Sequence, residues 1–328
     1  MRAALGARQL VCGRSCRWVS ALMALPAKVA AKPAIAPEAL FRYPPDMAEP
    51  APILVDIGAN LSDDSFQSDV QEVWTRAQQA GVGHCVITGT SLERSAAGRD
   101  LAHRLGPGVW FTAGVHPHDA KQWKDASTAA ALTELAADAK CVAIGECGLD
   151  FNRNFSSVEE QEHALECQLE LAVSLRKPLF VHCRDAAPRL AEMLLRVAPR
   201  LSAAVVVHCF TGSAEEAGAF LQLSPLVHIG ITGWICDERE GRAAALGEAV
   251  RVIPEDRLLL ETDAPYLIPR SITPSKARPR RNEPCLLPHV AAAVAAARGV
   301  SVAQVAEATT RNAVRVFGLA RTCDKVGA

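Results

Sequence analysis

The chain has no uninterrupted apolar run of about 18 residues, the length a membrane-crossing helix requires, so no membrane association is expected of it. It has almost no net charge. Its 35 Lys and Arg stand against 36 Asp and Glu, a formal balance of −1, and no global basic field advertises a nucleic-acid partner. Any contact with phosphate must therefore be local. Eleven cysteines are present, but no set has the CxxC…CxxC or CxxC…HxxxH spacing of a zinc knuckle. Cys141, Cys183 and Cys209 lie inside apolar runs, where thiols behave as small core residues. A reduced, cytoplasmic compartment fits this usage. No GxGxxG turn follows the first apolar run, which argues against a dinucleotide-binding sheet.

Acidic residues are missing from the first 37 positions, where Arg2, Arg8, Arg14, Arg17, Lys28 and Lys32 precede Glu38. An Arg-rich, acid-poor, Ala-rich stretch of this kind resembles an organellar transit peptide. A secretory signal fits less well, because Val19 to Leu25 is a short and broken apolar core. The reading favoured here is that translation begins at Met47, leaving residues 1–47 as an over-extended, disordered start; an organellar address is the alternative.

From Ile53 onward, short β-branched runs alternate with stretches of helical periodicity. The strand-like runs are Ile53–Ile57, His84–Thr88, Trp110–Val115, Cys141–Glu146, Pro178–His182, Ala203–His208, Val227–Thr232 and Leu258–Thr262. Helical spacing marks Ser65–Ala80, Leu92–Leu105, Val158–Leu175, Ala187–Val197, Glu215–Leu223 and Ala243–Val252, with a closing helical region from Leu287 to about Phe317. Eight βα repeats predict an α/β fold of the closed (β/α)8 TIM-barrel type, a single domain over residues 48–320 with a tail at 321–328.

In such a barrel the reactive residues stand at the C-terminal ends of the strands, where the βα loops form the open mouth. The polar residues follow this rule. Val115-His116-Pro117-His118, Gly145-Glu146-Cys147-Gly148-Leu149-Asp150, Val181-His182-Cys183-Arg184-Asp185, Val207-His208-Cys209 and Glu261-Thr262-Asp263 all end apolar runs. Burying one unpaired charge or imidazole there would cost several kcal/mol, on the order of the penalty for any unsatisfied polar group. A single strand-end His is more often a hydrogen-bonded structural residue, but several strands ending alike point to a shared cation. Imidazole nitrogens and carboxylate oxygens without thiolate suit a hydrolytic divalent-metal centre, with Mg²⁺, Mn²⁺ and Zn²⁺ all open.

Four of these segments, Ile144-Gly-Glu-Cys-Gly-Leu-Asp150, His182-Cys-Arg-Asp185, His208-Cys-Phe-Thr-Gly212 and Glu261-Thr-Asp-Ala-Pro-Tyr266, resemble the signatures of the TatD deoxyribonucleases, in the family's order and across residues 55–318. The resemblance implies an amidohydrolase-like TIM barrel acting as a metal-dependent 3′–5′ exonuclease on single-stranded DNA, with RNA a further substrate. It implies that Glu146, His182, His208 and Asp263 are metal ligands, and that Asp263 orients or deprotonates the attacking water. One departure stands out. The family pattern opens with Asp-x-His-x-His, whereas this chain has Asp56-Ile57-Gly58-Ala59-Asn60. An oxygen-richer set favours Mg²⁺ as cofactor, with Mn²⁺ or Zn²⁺ as alternatives, and puts two-metal occupancy in question.

The expected mechanism is in-line attack by a metal-activated water on the terminal phosphodiester, with His116 hydrogen-bonding or protonating near the phosphate or leaving oxygen. The bland alternative is that His116 only packs before Pro117. Substrate-binding residues are expected at Asn60, Arg153, Arg184, Arg280 and Arg281, with Lys276 and Arg278 in the same basic loop. Phe155, Phe210 and Trp234 are candidates to stack on bases. A monomer is expected, and damaged-DNA processing and RNA turnover are both compatible. Two rivals remain: a hydrolase of another ester or amide on the same barrel, such as an aminoacyl-tRNA, and a non-catalytic nucleic-acid-binding protein on the retained scaffold. Lysine carboxylation at strand four is excluded, because Glu146 occupies that place.

Overall fold

A computed structural model describes residues 53–319, so the readings of residues 1–47 and of the tail lie outside the described residues. Eight strands, β1 (Leu54–Ala59), β2 (Val82–Ile87), β3 (Val109–Ala113), β4 (Cys141–Asp150), β5 (Leu179–Arg184), β6 (Val205–Val207), β7 (Val227–Ile231) and β8 (Leu258–Leu260), pair in sequence order, each parallel to the next. The seam between β8 and β1 is drawn shut just beyond the strand: Asp263 N–H donates to Gly58 O at 2.9 Å and Asn60 N–H to Ala264 O at 2.7 Å. The result is a nearly closed TIM barrel.

The helices between the strands are α1 (Val70–Gln79), α2 (Leu92–Leu105), α3 (Asp125–Ala136), α4 (Val158–Leu175), α5 (Ala187–Val197), α6 (Ala214–Leu223) and α7 (Arg242–Val252); α8 (Leu287–Arg298) and α9 (Val302–Phe317) complete the chain. Among the described residues no single helix is long and apolar enough to cross a membrane.

The strands are β-branched and apolar because parallel strands in a barrel are covered on both faces. Val55, Ile57, Val86, Phe180, Val206 and Leu259 gather in one cluster, into which Val316 and Phe317 at the end of α9 also pack. The alternate residues, such as Leu54, Ile87, Val181 and Leu260, meet the helices. Each such side chain contributes roughly 1.5–3 kcal/mol by leaving water. Helix starts are set by side chains that satisfy otherwise unpaired N–H groups: Ser157 with Glu160, Ser213 with Glu216, and Ser301 with Gln304 form reciprocal capping boxes.

All eight strand-like runs are strands, and the differences lie at boundaries. α1 starts five residues later than the periodicity suggests, because Asp63 caps a 3₁₀ turn at Asp64–Phe66. The closing helical region is two helices, divided where Gly299 adopts a left-handed conformation at the end of α8. α3 is an additional helix whose Ala-rich sequence carries a weak apolar stripe, with Thr128, Leu132, Leu135 and Ala136 buried.

The sequence also ends strand four too early. β4 continues through Asp150, with Gly148 opposite His182 and Asp150 opposite Arg184. This close pairing needs glycine: a Cβ on Gly148, at φ 136°, would stand 2.0 Å from His182 O.

Candidate active site

Five strand ends converge at the mouth. β4 delivers Glu146 and Asp150, β5 delivers His182, and His208 follows β6. Glu261 and Asp263 follow β8, and His116 stands between β3 and a 3₁₀ turn at Pro117–Gln122.

Glu146 is the hub. Its Oε1 lies 2.7 Å from His208 Nε2, 3.1 Å from His182 Nδ1 and 3.3 Å from His116 Nε2. Burial works against ionising this carboxyl, but the surrounding imidazoles outweigh it and hold its pKa well below the usual carboxylate range. Burial likewise opposes ionisation of Asp150, and is overcome by the nearby His182 imidazole together with hydrogen bonds from His118 and the Arg153 N–H, so its pKa too is lowered.

A second layer of carboxylates orients the imidazoles. Asp150 Oδ2 is 2.8 Å from His118 Nε2, and its Oδ1 accepts the N–H groups of Asn152 and Arg153, each at 2.9 Å. Gln161 on α4 fixes the Asp150 backbone, accepting its N–H at 2.9 Å and donating to its carbonyl at 3.1 Å. Glu261 Oε2 is 3.2 Å from His208 Nδ1, while its Oε1 accepts the Cys209 N–H. Asn60 Nδ2 donates to Asp263 Oδ1 at 3.0 Å. Burial raises the Asp263 carboxyl to about 7, against the lowering effect of His208.

Proton accounting separates donors from ligands. His116 Nδ1 accepts the His118 N–H at 3.0 Å, so neutral His116 carries its proton on Nε2 and faces the cleft as a donor. Binding a metal through Nε2 would require an imidazolate, although His116, Glu146 and His182 do bring ligand atoms within 4.8 Å of one another. His208 is the reverse case. Set between two buried carboxylates, it is held protonated against burial and donates from both nitrogens, Nδ1 toward Glu261 at 3.2 Å and Nε2 toward Glu146 at 2.7 Å. A metal would take the place of the Nε2 proton, with Nδ1–H still engaged by Glu261. His182 Nε2 is buried without a hydrogen bond, 3.6 Å from Asp150 Oδ2. An imidazole pair and buried carboxylates, with one ring nitrogen left unpartnered, fit a divalent metal.

Asp150, His118 and Glu261 are absent from the site read in the sequence. The available signal was the rule that a buried strand-end imidazole needs a partner on its far nitrogen, and that each of these residues closes or adjoins a recognised motif. Asp263 stands apart from the compact cluster around Glu146, held by Asn60 rather than by an imidazole.

The basic candidates divide. Arg153 and Arg280 are exposed, and Arg184 is half-buried; among the described residues none of the three guanidinium groups has an ion pair. Arg281 has another use: its terminal nitrogens bind Asp69 at 2.7 and 2.9 Å and Glu283 at 2.7 Å, and its guanidinium lies 4.3 Å over Phe66. It ties the loop after β8 to the loop after β1. Phe210 is a core residue, 3% exposed and edge-on to Phe220, and has no face to offer a base. Phe155 does: it is 58% exposed and stands 4.8 Å from the His118 ring. Trp234 has one face taken by Arg242 at 4.8 Å.

Residues 55–318 match the family described as TatD related DNase. A protein of Escherichia fergusonii named 3′-5′ ssDNA/RNA exonuclease TatD is 49% identical over 266 residues, covering 81% of this chain and 99% of its own length. Its namesake from Cronobacter sakazakii is 50% identical over 264 residues, 80% of this chain and 97% of that protein. The solved structure of YJJV, a TatD homologue from Escherichia coli K12, superposes with a TM-score of 0.73 at 29% identity, covering 81% of this chain and 98% of the other.

Proposed function

The chain belongs to the TatD-related DNase family, and from that premise we propose that it is a 3′–5′ exonuclease hydrolysing terminal phosphodiesters of single-stranded DNA and RNA. The observation that carries this reading is the meeting of three imidazoles on one buried carboxylate oxygen of Glu146 at the open end of the barrel.

Glu146, His182, His208 and Asp263 would hold a divalent metal, Mg²⁺ first among the candidates because carboxylate oxygens are half of the donor set, with Mn²⁺ or Zn²⁺ as alternatives. When bound, such a metal offsets phosphate charge and makes water more acidic. The remaining chemistry belongs to the side chains. His116 donates its Nε2–H to the phosphate or to the departing 3′ oxygen, a role set by its tautomer. Asp263, with Oδ1 held by Asn60, presents its other oxygen to accept a proton from the attacking water. Glu261 and Asp150 fix the rings of His208, His118 and His182 so that these groups need not reorganise during the reaction.

Arg153, Arg184 and Arg280 supply phosphate contacts along the mouth, and Phe155 supplies a stacking surface for a base. That arrangement is local, in keeping with the near-zero net charge of the chain. Capping the 3′ end of an oligonucleotide with an inverted nucleotide tests direction: the proposal expects protection of DNA and RNA alike, whereas continued shortening would mean internal cleavage or attack from the 5′ end.

A further inference from the structure

Outside the cleft, one other set of ligand side chains converges among the described residues. We propose that Asp125, His163 and Cys167 form a second, thiolate-containing metal site of zinc type that pins the start of α3 to α4.

His163 and Cys167 are four residues apart on α4 and so share one face, and Asp125 opens α3 beside them. His163 Nε2 lies 2.7 Å from Asp125 Oδ1 and 4.0 Å from Cys167 Sγ, and the three ligand atoms all lie within 4.8 Å of one another. Tetrahedral zinc, with Zn–S near 2.3 Å and Zn–N near 2.0 Å, sets ligand–ligand separations of about 3.3–3.6 Å. The observed distances bracket that range, so side-chain rotation alone would close the site. Asp125 and His163 are exposed, with side-chain accessibilities of 78% and 56%, which leaves a fourth position for water.

The bland reading is a surface hydrogen bond with a thiol nearby. It leaves one atom unexplained. Trp123 Nε1 is buried without a well-formed hydrogen bond, and the acceptor within its reach is the Cys167 sulfur. A neutral thiol is a weak acceptor, whereas a thiolate is a strong one. Metal binding releases the thiol proton to solvent and uses the unprotonated Nε2 of neutral His163.

The donor set differs in kind from that of the cleft. Thiolate with imidazole selects zinc over magnesium, while the cleft set of Glu146, His182, His208 and Asp263 contains no sulfur. The location also matters. Trp123 caps the end of the 3₁₀ turn that His116 begins. From α4, Gln168 bonds the Val115 backbone and Gln161 bonds that of Asp150. A metal here would brace the segment that presents His116 and His118.

Cobalt(II) titration of the full-length protein in excess Mg²⁺ tests this. One equivalent should give a thiolate-to-cobalt charge-transfer band with tetrahedral d–d bands. The charge-transfer band should vanish in Cys167→Ser and survive in Cys209→Ser, which removes the thiol 3.9 Å from Asp263. His163→Gln, at an exposed position, should weaken cobalt binding at least tenfold. A wild-type protein without the charge-transfer band, or a band that persists in Cys167→Ser, overturns the proposal.

Discussion

His208 stands between two buried carboxylates, its Nε2 2.7 Å from Glu146 and its Nδ1 3.2 Å from Glu261. The second contact decides what the first can do, because a proton held on Nδ1 leaves Nε2 free as a donor of electrons. Glu261→Gln should therefore raise the metal concentration for half-maximal hydrolysis by roughly 10–100-fold, the usual cost of losing such a partner. Metal-activation curves measure this directly; an unshifted curve would show that Glu261 is only a packing residue.

His116 should behave differently from the ligands. His116→Gln is expected to lower kcat by about 10²–10⁴-fold, the contribution of a positioned proton donor, while the half-activating metal concentration stays within about threefold. A large loss of metal affinity in this variant would place His116 among the ligands instead.

Arg281 and Arg184 offer a paired test of structural against substrate roles. Removing Arg281 takes away the bidentate partner of Asp69 and one of the two guanidinium partners of Glu283, with Arg76 remaining on both, and Arg281→Ala should cost on the order of 1 kcal/mol in denaturant unfolding with KM for oligonucleotides unchanged. Arg184→Ala should do the opposite: unaltered stability, raised KM and a shallower salt dependence of binding.

Asp56 sets a pH dependence of stability. Burial raises its carboxyl from 3.8 to about 7, although Thr262 and Gly58 donate to it. Below pH about 4 the folded and unfolded chains both hold this proton, and above about 7 neither does, so between these limits the folded state binds it more tightly and stability falls as pH rises. The stability of wild type relative to Asp56→Asn should drop by up to roughly 4 kcal/mol across that window. A difference independent of pH would contradict the assignment.

Much of this molecule was legible in advance because its signals are local. Eight apolar runs became eight strands, and the motif residues Glu146, His182 and His208 meet at one carboxylate oxygen. Long-range pairings were not legible. Glu261 reaches His208 across 53 residues and Arg281 reaches Asp69 across 212, and nothing in either neighbourhood names the partner. The missing first-strand histidine illustrates the same point. A Cβ on Gly58 would stand 2.4 Å from Glu261 Oε2, so the space at that position is filled by a carboxylate from the far end of the chain. α3 escaped notice for a different reason: alanine supplies helix propensity without marking a face.

The central claim is that Glu146 organises a metal-dependent centre that removes nucleotides from the 3′ end. Single-stranded oligonucleotides labelled at the 3′ or the 5′ end, incubated with EDTA, Mg²⁺ or Mn²⁺, test it against Glu146→Ala. The account predicts metal-dependent release of mononucleotides beginning at the 3′ label, abolished by EDTA and by the substitution; cleavage that survives either treatment, or no cleavage with any metal, would contradict it.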